Sequence, residues 1–213
     1  LLQQISRWRA FLVPASIVLF VAVAIVVWKN YGRQILSHDD GHFAVELEKL
    51  QVTPVPEWVK TDVRNDVFQD AGWGRQNLSV LETDAAVRVA QAFEQHTWVA
   101  KVNRVRKRPG GVLEVELQYR RPVAMVEVDY RGEGGLLPVD AAGVLLPPSD
   151  FTAEEAITYP RITVDYSGPS GSVGTRWGDA RVEDAAAVAA LLFERWKSIG
   201  LYRIVAVAGQ PTS

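Results

Sequence analysis

The 213-residue sequence predicts an α+β chain that carries one N-terminal transmembrane helix. Three observations predict it. Phe11 to Trp28 (FLVPASIVLFVAVAIVVW) is an apolar run without a single charge. Leu113, Val115, Leu117 and Tyr119 alternate with Glu114, Glu116 and Gln118, the pattern of a half-buried strand. Trp58, Val59, Val63 and Val67, and later Val188, Leu191, Leu192 and Trp196, recur at helical spacing.

Composition narrows the class. At 48% hydrophobic and 23% charged residues the chain can bury a core, which excludes a mainly disordered protein. The absence of Cys excludes disulfide scaffolds, thiolate zinc sites and cysteine nucleophiles. A net charge of −2 argues against nucleic-acid binding, which depends on neutralising phosphates. Charge is also unevenly placed. Arg7, Arg9, Lys29 and Arg33 precede Gln34 with no acidic residue among them, so the remainder carries 23 − 4 = 19 basic against 25 acidic residues. That is a basic collar on an acidic body.

Taken in order, residues 1–10 form an N-terminal tail, expected to be truncated because the chain starts at Leu1 and not at Met. Residues 11–28 form the transmembrane helix, about 27 Å long at 1.5 Å per residue. Trp8, Arg7 and Arg9 flank one end; Trp28, Lys29, Tyr31 and Arg33 flank the other as interfacial anchors. A cleaved signal peptide is the competing reading, since Ala22-Val23-Ala24 fits a cleavage site, but Ile25 to Trp28 prolongs the apolar run past it. Two basic residues on each side leave the orientation open.

Residues 29–42 read as a juxtamembrane linker. Phe43 to Val52 reads as a strand and Pro54 and Pro56 stop it. Glu57 to Asp70 is a helix, and Thr83 or Asp84 caps a second helix that runs to about His96. Val99 to Arg106 and Val112 to Tyr119 are strands joined across Pro109-Gly110-Gly111 as an antiparallel hairpin. Residues 43–121 therefore read β-α-α-β-β, a three-stranded sheet with two helices on one face. Residues 122–213 form a β domain with a late helix. Its strands are Val123–Val128, Leu136–Val139, Val144–Leu146 and Leu201–Val207, its helix is Val182–Lys197, and residues 167–178 form a mobile loop.

His96-Thr97-Trp98-Val99 entering a strand, Arg106 to Arg108 before Pro109-Gly110-Gly111-Val112-Leu113-Glu114-Val115, and Arg121-Pro122-Val123-Ala124 together resemble the FtsQ/DivIB bacterial cell-division family. Leu137-Pro138-Val139-Asp140-Ala141-Ala142-Gly143 resembles the "valine-aspartate, two residues, glycine" hairpin of that family. The resemblance spans residues 11–208 and implies a single membrane pass, a POTRA domain at 43–121 and a β domain at 122–213, incomplete at its C-terminus. It departs from the family pattern in three places. Arg104 stands where an apolar strand residue is usual, with Val105 one step later, and Gly110-Gly111 lengthens the turn by a residue. A one-residue slip there would exchange the faces of the strand. The third departure is the end of the chain, where further strands are usual.

The resemblance implies a non-enzymatic scaffold at the septum, on the extracytoplasmic side of the cytoplasmic membrane. Its implied partners are FtsB- and FtsL-like bitopic proteins and, through them, the septal peptidoglycan synthase. No nucleic acid, small-molecule substrate or cofactor is expected. The candidate partner-binding residues are Leu201, Tyr202, Ile204 and Val205, as a sheet edge open to strand addition, and the basic Arg104, Arg106 and Arg108. The basic group would dock an acidic partner or contact anionic lipid or cell-wall polymer, and the competing reading is a solvated edge strand guarded by charge. The alternative function is a POTRA-bearing secretion or envelope-assembly component.

Catalytic patterns are sparse. His38-Asp39-Asp40-Gly41-His42 has an i, i+4 histidine pair that could hold zinc on a helix, but Gly41 disfavours that helix and a solvated linker accounts for the composition. Gly168 to Thr175 lacks the Lys-Ser or Lys-Thr of a P-loop, and no G-x-S-x-G elbow occurs. His96 is expected to pack or cap a helix end.

Overall fold

The computed structural model describes Val21, Val23, Val26 and residues 44–74, 78–130 and 133–207. The chain divides into two compact units, Leu1–Ala44 and Val45–Ser213. The second contains two sheets, each over its own core.

One part of the predicted fold class is corrected. Among the described residues no helix is long and apolar enough to cross a membrane, so the predicted transmembrane helix is not shown. Of residues 11–28 only Val21, Val23 and Val26 are described, each helical, and three separate positions do not make a span. The linker motif from His38 to His42, and Phe43, lie outside the described residues.

The first sheet has the order β1-β3-β2, with β1 Leu50–Val52, β2 Val99–Arg108 and β3 Val112–Tyr119. β1 runs parallel to β3, and β2 is antiparallel to it. Helices α1 (Val63–Asp70) and α2 (Ala85–Glu94) bury Val63, Val67, Ala85, Val89 and Phe93 in the same core as Leu113, Val115 and Leu117. The β-α-α-β-β order is as predicted, with shorter first elements. Leu47–Lys49 winds into a 3-10 turn closed by a Glu46–Lys49 ion pair at 3.1 Å, leaving three residues to pair as β1. α1 begins at Val63 and not at Glu57, because the Asp62 carboxylate accepts from the Asn65 N–H and caps it there. Trp58 therefore lies outside the helix, where its indole N–H donates to Arg120 O at 2.9 Å.

The irregular spacing in β2 has a structural answer. Val99, Val102 and Val105 stand three apart, a period that a regular strand cannot keep on one face. Two β-bulges, between Val99 and Lys101 and between Val102 and Arg104, each absorb one residue. Val99, Val102 and Val105 then lie opposite Tyr119, Leu117 and Val115 on the core side. Lys101, Arg104 and Arg106 pair with Gln118, Glu116 and Glu114 on the outer side.

The second sheet has the order β5-β4-β6-β7 and mixes directions. β4 (Pro122–Tyr130) is antiparallel to β5 (Glu133–Asp140) and parallel to β6 (Arg161–Thr163), which is parallel to β7 (Arg203–Val205). Val144–Leu146, expected as a strand, forms only single bridges to Val139 and Arg176 before Pro147-Pro148 ends it. β6 and the short helix α3 (Ala153–Ala156) were not predicted, although Thr152 and Glu155 form a full capping box. Helix α4 (Ala180–Leu192) starts at Asp179, which accepts from the Arg181 N–H and guanidinium. The arginine holds the Asp179 carboxyl down at about 2, the largest of the influences on it.

The phase of α4 also corrects the prediction. Val182, Ala185, Ala186 and Ala189 face the core, while Leu191 is 86% exposed and Val188 45%. Val188, Leu191, Leu192 and Trp196, expected from their spacing to face a core, do not form the inward stripe. An alanine face lets the helix axis approach the sheet closely over Val126 and Ile162, and that turns the larger side chains outward.

Loop 167–178, expected to be mobile, is bonded into the second core. Trp177 is fully buried, its N–H donates to Gly143 O at 2.8 Å and its indole N–H donates to Ser167 Oγ at 3.0 Å. Ser170 N–H returns to Trp177 O, and Gly174 N–H reaches Leu145 O at 2.7 Å.

The two halves are fastened to each other. Leu146 and Phe151, from the second half of the chain, pack in the first core. The Trp98 indole donates to Asp150 Oδ2 at 2.9 Å. Arg120 meets Asp140 at 2.7 Å, and the Arg121 guanidinium lies 4.5 Å from the Phe193 ring and 5.8 Å from that of Trp58.

Candidate functional site

The structure places the two predicted groups of site residues on two different sheets. Each group lies on an end strand among the described residues: Arg104, Arg106 and Arg108 on β2, and Ile204 and Val205 on β7 with Leu201 and Tyr202 leading into it. They do not form one site.

On β2 the arginines are matched by carboxylates of β3. Arg108 bonds Glu114 at 2.8 Å, and Arg104 and Arg106 both stand 3.9 Å from Glu116. These half-exposed pairs contribute little to stability. They do lower the positive potential that made this group a candidate for docking. The two bulges further break the row of backbone groups along this edge.

β7 is built differently. Arg161 N–H donates to Tyr202 O and Ala206 N–H donates to Thr163 O, so residues 202, 204 and 206 turn their backbone groups toward β6. In a parallel ladder the intervening residues point the other way, so the N–H and C=O of Arg203 and Val205 face outward. Ile204 packs against the second core, whereas Tyr202 is 55% and Val205 63% exposed. The strand is three residues long, shorter than the predicted Leu201–Val207.

Beside this edge lies a charged cluster that the sequence reading did not single out. In register, Arg161 is paired with Arg203, and Glu127 with Thr163. Like charges on adjacent strands repel. Glu127 offsets them by bonding Arg161 at 3.2 Å, Arg203 at 2.9 Å and the Thr163 hydroxyl. Burial pushes the Glu127 carboxyl up, but the Thr163 and Arg161 hydrogen bonds and the Arg203 charge outweigh it and hold the group below its usual value. The visible signal was the near-repeat of Arg161-Ile162-Thr163 in Arg203-Ile204-Val205. On the same sheet face an open groove of 520 Å³, lined by Met125, Leu136, Pro138, Phe151 and Ile157, ends at Glu127 and Arg161.

His96 has a structural place at the start of β2. Its Nδ1 accepts from the Trp98 N–H at 3.2 Å, and its Nε2 is 3.8 Å from Asp66. Burial lowers its pKa from 6.5, outweighing the opposing pull of Asp66, Asp70 and Asp150. The neutral ring is thus favoured in the folded state. Below pH 6.5 the unfolded chain takes up a proton that the folded chain resists, so stability falls as pH drops through 6.5 toward the folded value. Urea midpoints measured from pH 7.5 to 5.5 should show this loss, and His96→Gln should remove that component. An equal pH dependence in His96→Gln would refute it.

Among the described residues no group of three His, Asp or Glu side chains could hold a metal ion. Compared with known proteins, the chain matches no family model and no curated protein.

Proposed function

We propose that this chain is a non-enzymatic scaffold of bacterial division. It would act on the extracytoplasmic side of the cytoplasmic membrane at the septum, recruiting FtsB- and FtsL-like partners and thereby influencing septal peptidoglycan synthesis. The resemblance of the His96–Gly143 motifs supplies the biological setting. The observation that carries the mechanism is the β7 edge, where the outward backbone of Arg203 and Val205 lies between the exposed Tyr202 and Val205 side chains. An extended partner segment would add there as a further strand, its main chain supplying affinity and its side chains selectivity.

Val205→Pro separates this role from folding. The Val205 N–H takes no part in the pairing with β6, so proline at this edge position is tolerated while the outward donor is lost. Thermal unfolding should change little, whereas capture of the partner from native-host membranes should fall by roughly tenfold, the worth of about one well-placed hydrogen bond. In the native host, depletion should block septation, and a fluorescent fusion should concentrate at midcell. Uniform distribution with normal division and impaired secretion would instead favour the envelope-assembly reading.

A further inference from the structure

We infer that His96 is a two-position switch at the junction of the two sheets. Neutral, it holds the turn 96–98 against the second half of the chain; protonated, it releases that turn. One bond sets the neutral position. Nδ1 accepts from the Trp98 N–H at 3.2 Å, so the neutral ring carries its proton on Nε2. A second proton can only go to Nδ1, the nitrogen that accepts. Uptake therefore sets one donor against another. Trp98 is fully buried, and its N–H loses its acceptor at a cost that favours a rearranged turn.

The fold has a place for the displaced ring. An open cavity of 240 Å³ borders His96, lined by Val67 and Asp70 of α1 across from Ala92 and Gln95. Asp66 Oδ2 stands 3.8 Å from Nε2. The charged groups that bear on the ring are Asp66 and Asp70 from α1 and Asp150 from the 3-10 turn Pro148–Asp150, all of them carboxylates that favour the cation. Burial outweighs them in the closed position, so the switch operates below pH 6.5.

The turn that would be released is held from the second half of the chain at two points. The Trp98 indole donates to Asp150 Oδ2 at 2.9 Å, and its ring lies 6.2 Å from that of Phe151. Thr97 lies against loop 167–178, where a Cβ on Gly174 would come within 2.9 Å of Thr97 Cγ2 and 3.3 Å of its Cα. Gly174 in turn donates its N–H to Leu145 O. Movement at residue 96 therefore acts on both contacts.

The test follows the full chain by NMR from about pH 7.5 to pH 4.5, reading the His96 ring nitrogens and the amide protection factors. As His96 Nδ1 becomes protonated, protection of the Trp98 and Gly174 N–H groups should fall roughly tenfold, the worth of about one hydrogen bond, with one common midpoint. Val115 and Ile162, in the two cores, should keep theirs. Asp66→Asn should move the midpoint to lower pH, because a charge that favours the cation is gone. In His96→Gln, whose amide oxygen can still accept from Trp98, protection should not change with pH. Titration of His96 with Trp98 and Gly174 unmoved would overturn the switch, as would the same loss in His96→Gln or no titration of His96 above pH 4.5. A simultaneous fall at Val115 and Ile162 would show global unfolding in its place and overturn it too.

Discussion

Asp140→Ala should lower folding stability by about 3–5 kcal/mol, the loss expected when one partner of a buried ion pair is removed. Asp140 is 6% exposed, and its two oxygens serve different parts of the fold. Oδ2 accepts from Arg120 at 2.7 Å, while Oδ1 accepts from the N–H groups of Ala142 and Val144, both at 2.9 Å. Alanine leaves the Arg120 charge unpaired where its Nε already has no partner, and it strips two turn donors of their acceptor. Asp140→Asn keeps an oxygen for the turn and loses the charge, so it should cost less, about 1.5–3 kcal/mol. Urea unfolding of the two variants, with Arg120→Met to complete a double-mutant cycle, measures the coupling. A loss below about 1 kcal/mol for Asp140→Ala would show that the junction between the two sheets does not depend on this pair.

That result would also explain a motif that the sequence could only match by likeness. Val139-Asp140-Ala141-Ala142-Gly143 has a reason at each end: Val139 is fully buried, Asp140 ties the turn to Arg120, and Gly143 takes a positive φ. Elements with a strong local pattern were legible in the same way. The alternation of β3, the Pro109–Gly111 turn and the amphipathic α2 required no knowledge of the rest of the chain. What tertiary packing decides was not legible. The inward face of α4 is set by how closely alanines approach the sheet, which the apolar spacing of Val188, Leu191 and Leu192 does not show. β6 is three residues long, and only its place between β4 and β7 makes it a strand.

The candidate site divides along the same line. Leu201, Tyr202, Ile204 and Val205 were named because the family resemblance implies a partner edge in the late β domain, where the sequence reads as a strand. Their status as an edge depends on the order β5-β4-β6-β7, which is a fact of topology. The Glu127–Arg161–Arg203 cluster draws on positions 34 and 76 residues apart, beyond any local spacing rule. The basic group at 104–108 was legible as composition, but its matching by Glu114 and Glu116 follows from a register that two bulges determine.

Gly143→Ala should cost about 3 kcal/mol, and Gly110→Ala only about 1 kcal/mol, although both glycines have left-handed backbones at φ +68° and +81°. The conformational penalty for a Cβ is common to both, about 1–2 kcal/mol. They differ in their surroundings. A Cβ on Gly110 meets nothing within 4 Å, whereas on Gly143 it would lie 2.7 Å from Glu183 Cγ and 2.9 Å from Glu183 Cα. The second contact is with backbone in the first turn of α4, which cannot rotate aside as a side chain can. Relief requires the helix start to withdraw from the Asp140–Gly143 turn, and overpacking of this kind costs about 1–3 kcal/mol. Withdrawal would also strain the Trp177 N–H bond to Gly143 O, the tie that holds loop 167–178 in the second core. Denaturant midpoints of the two variants isolate the steric part, since their difference cancels the shared backbone cost. Equal losses would mean that α4 gives way freely and that its close approach to the hairpin is not a constraint on the fold.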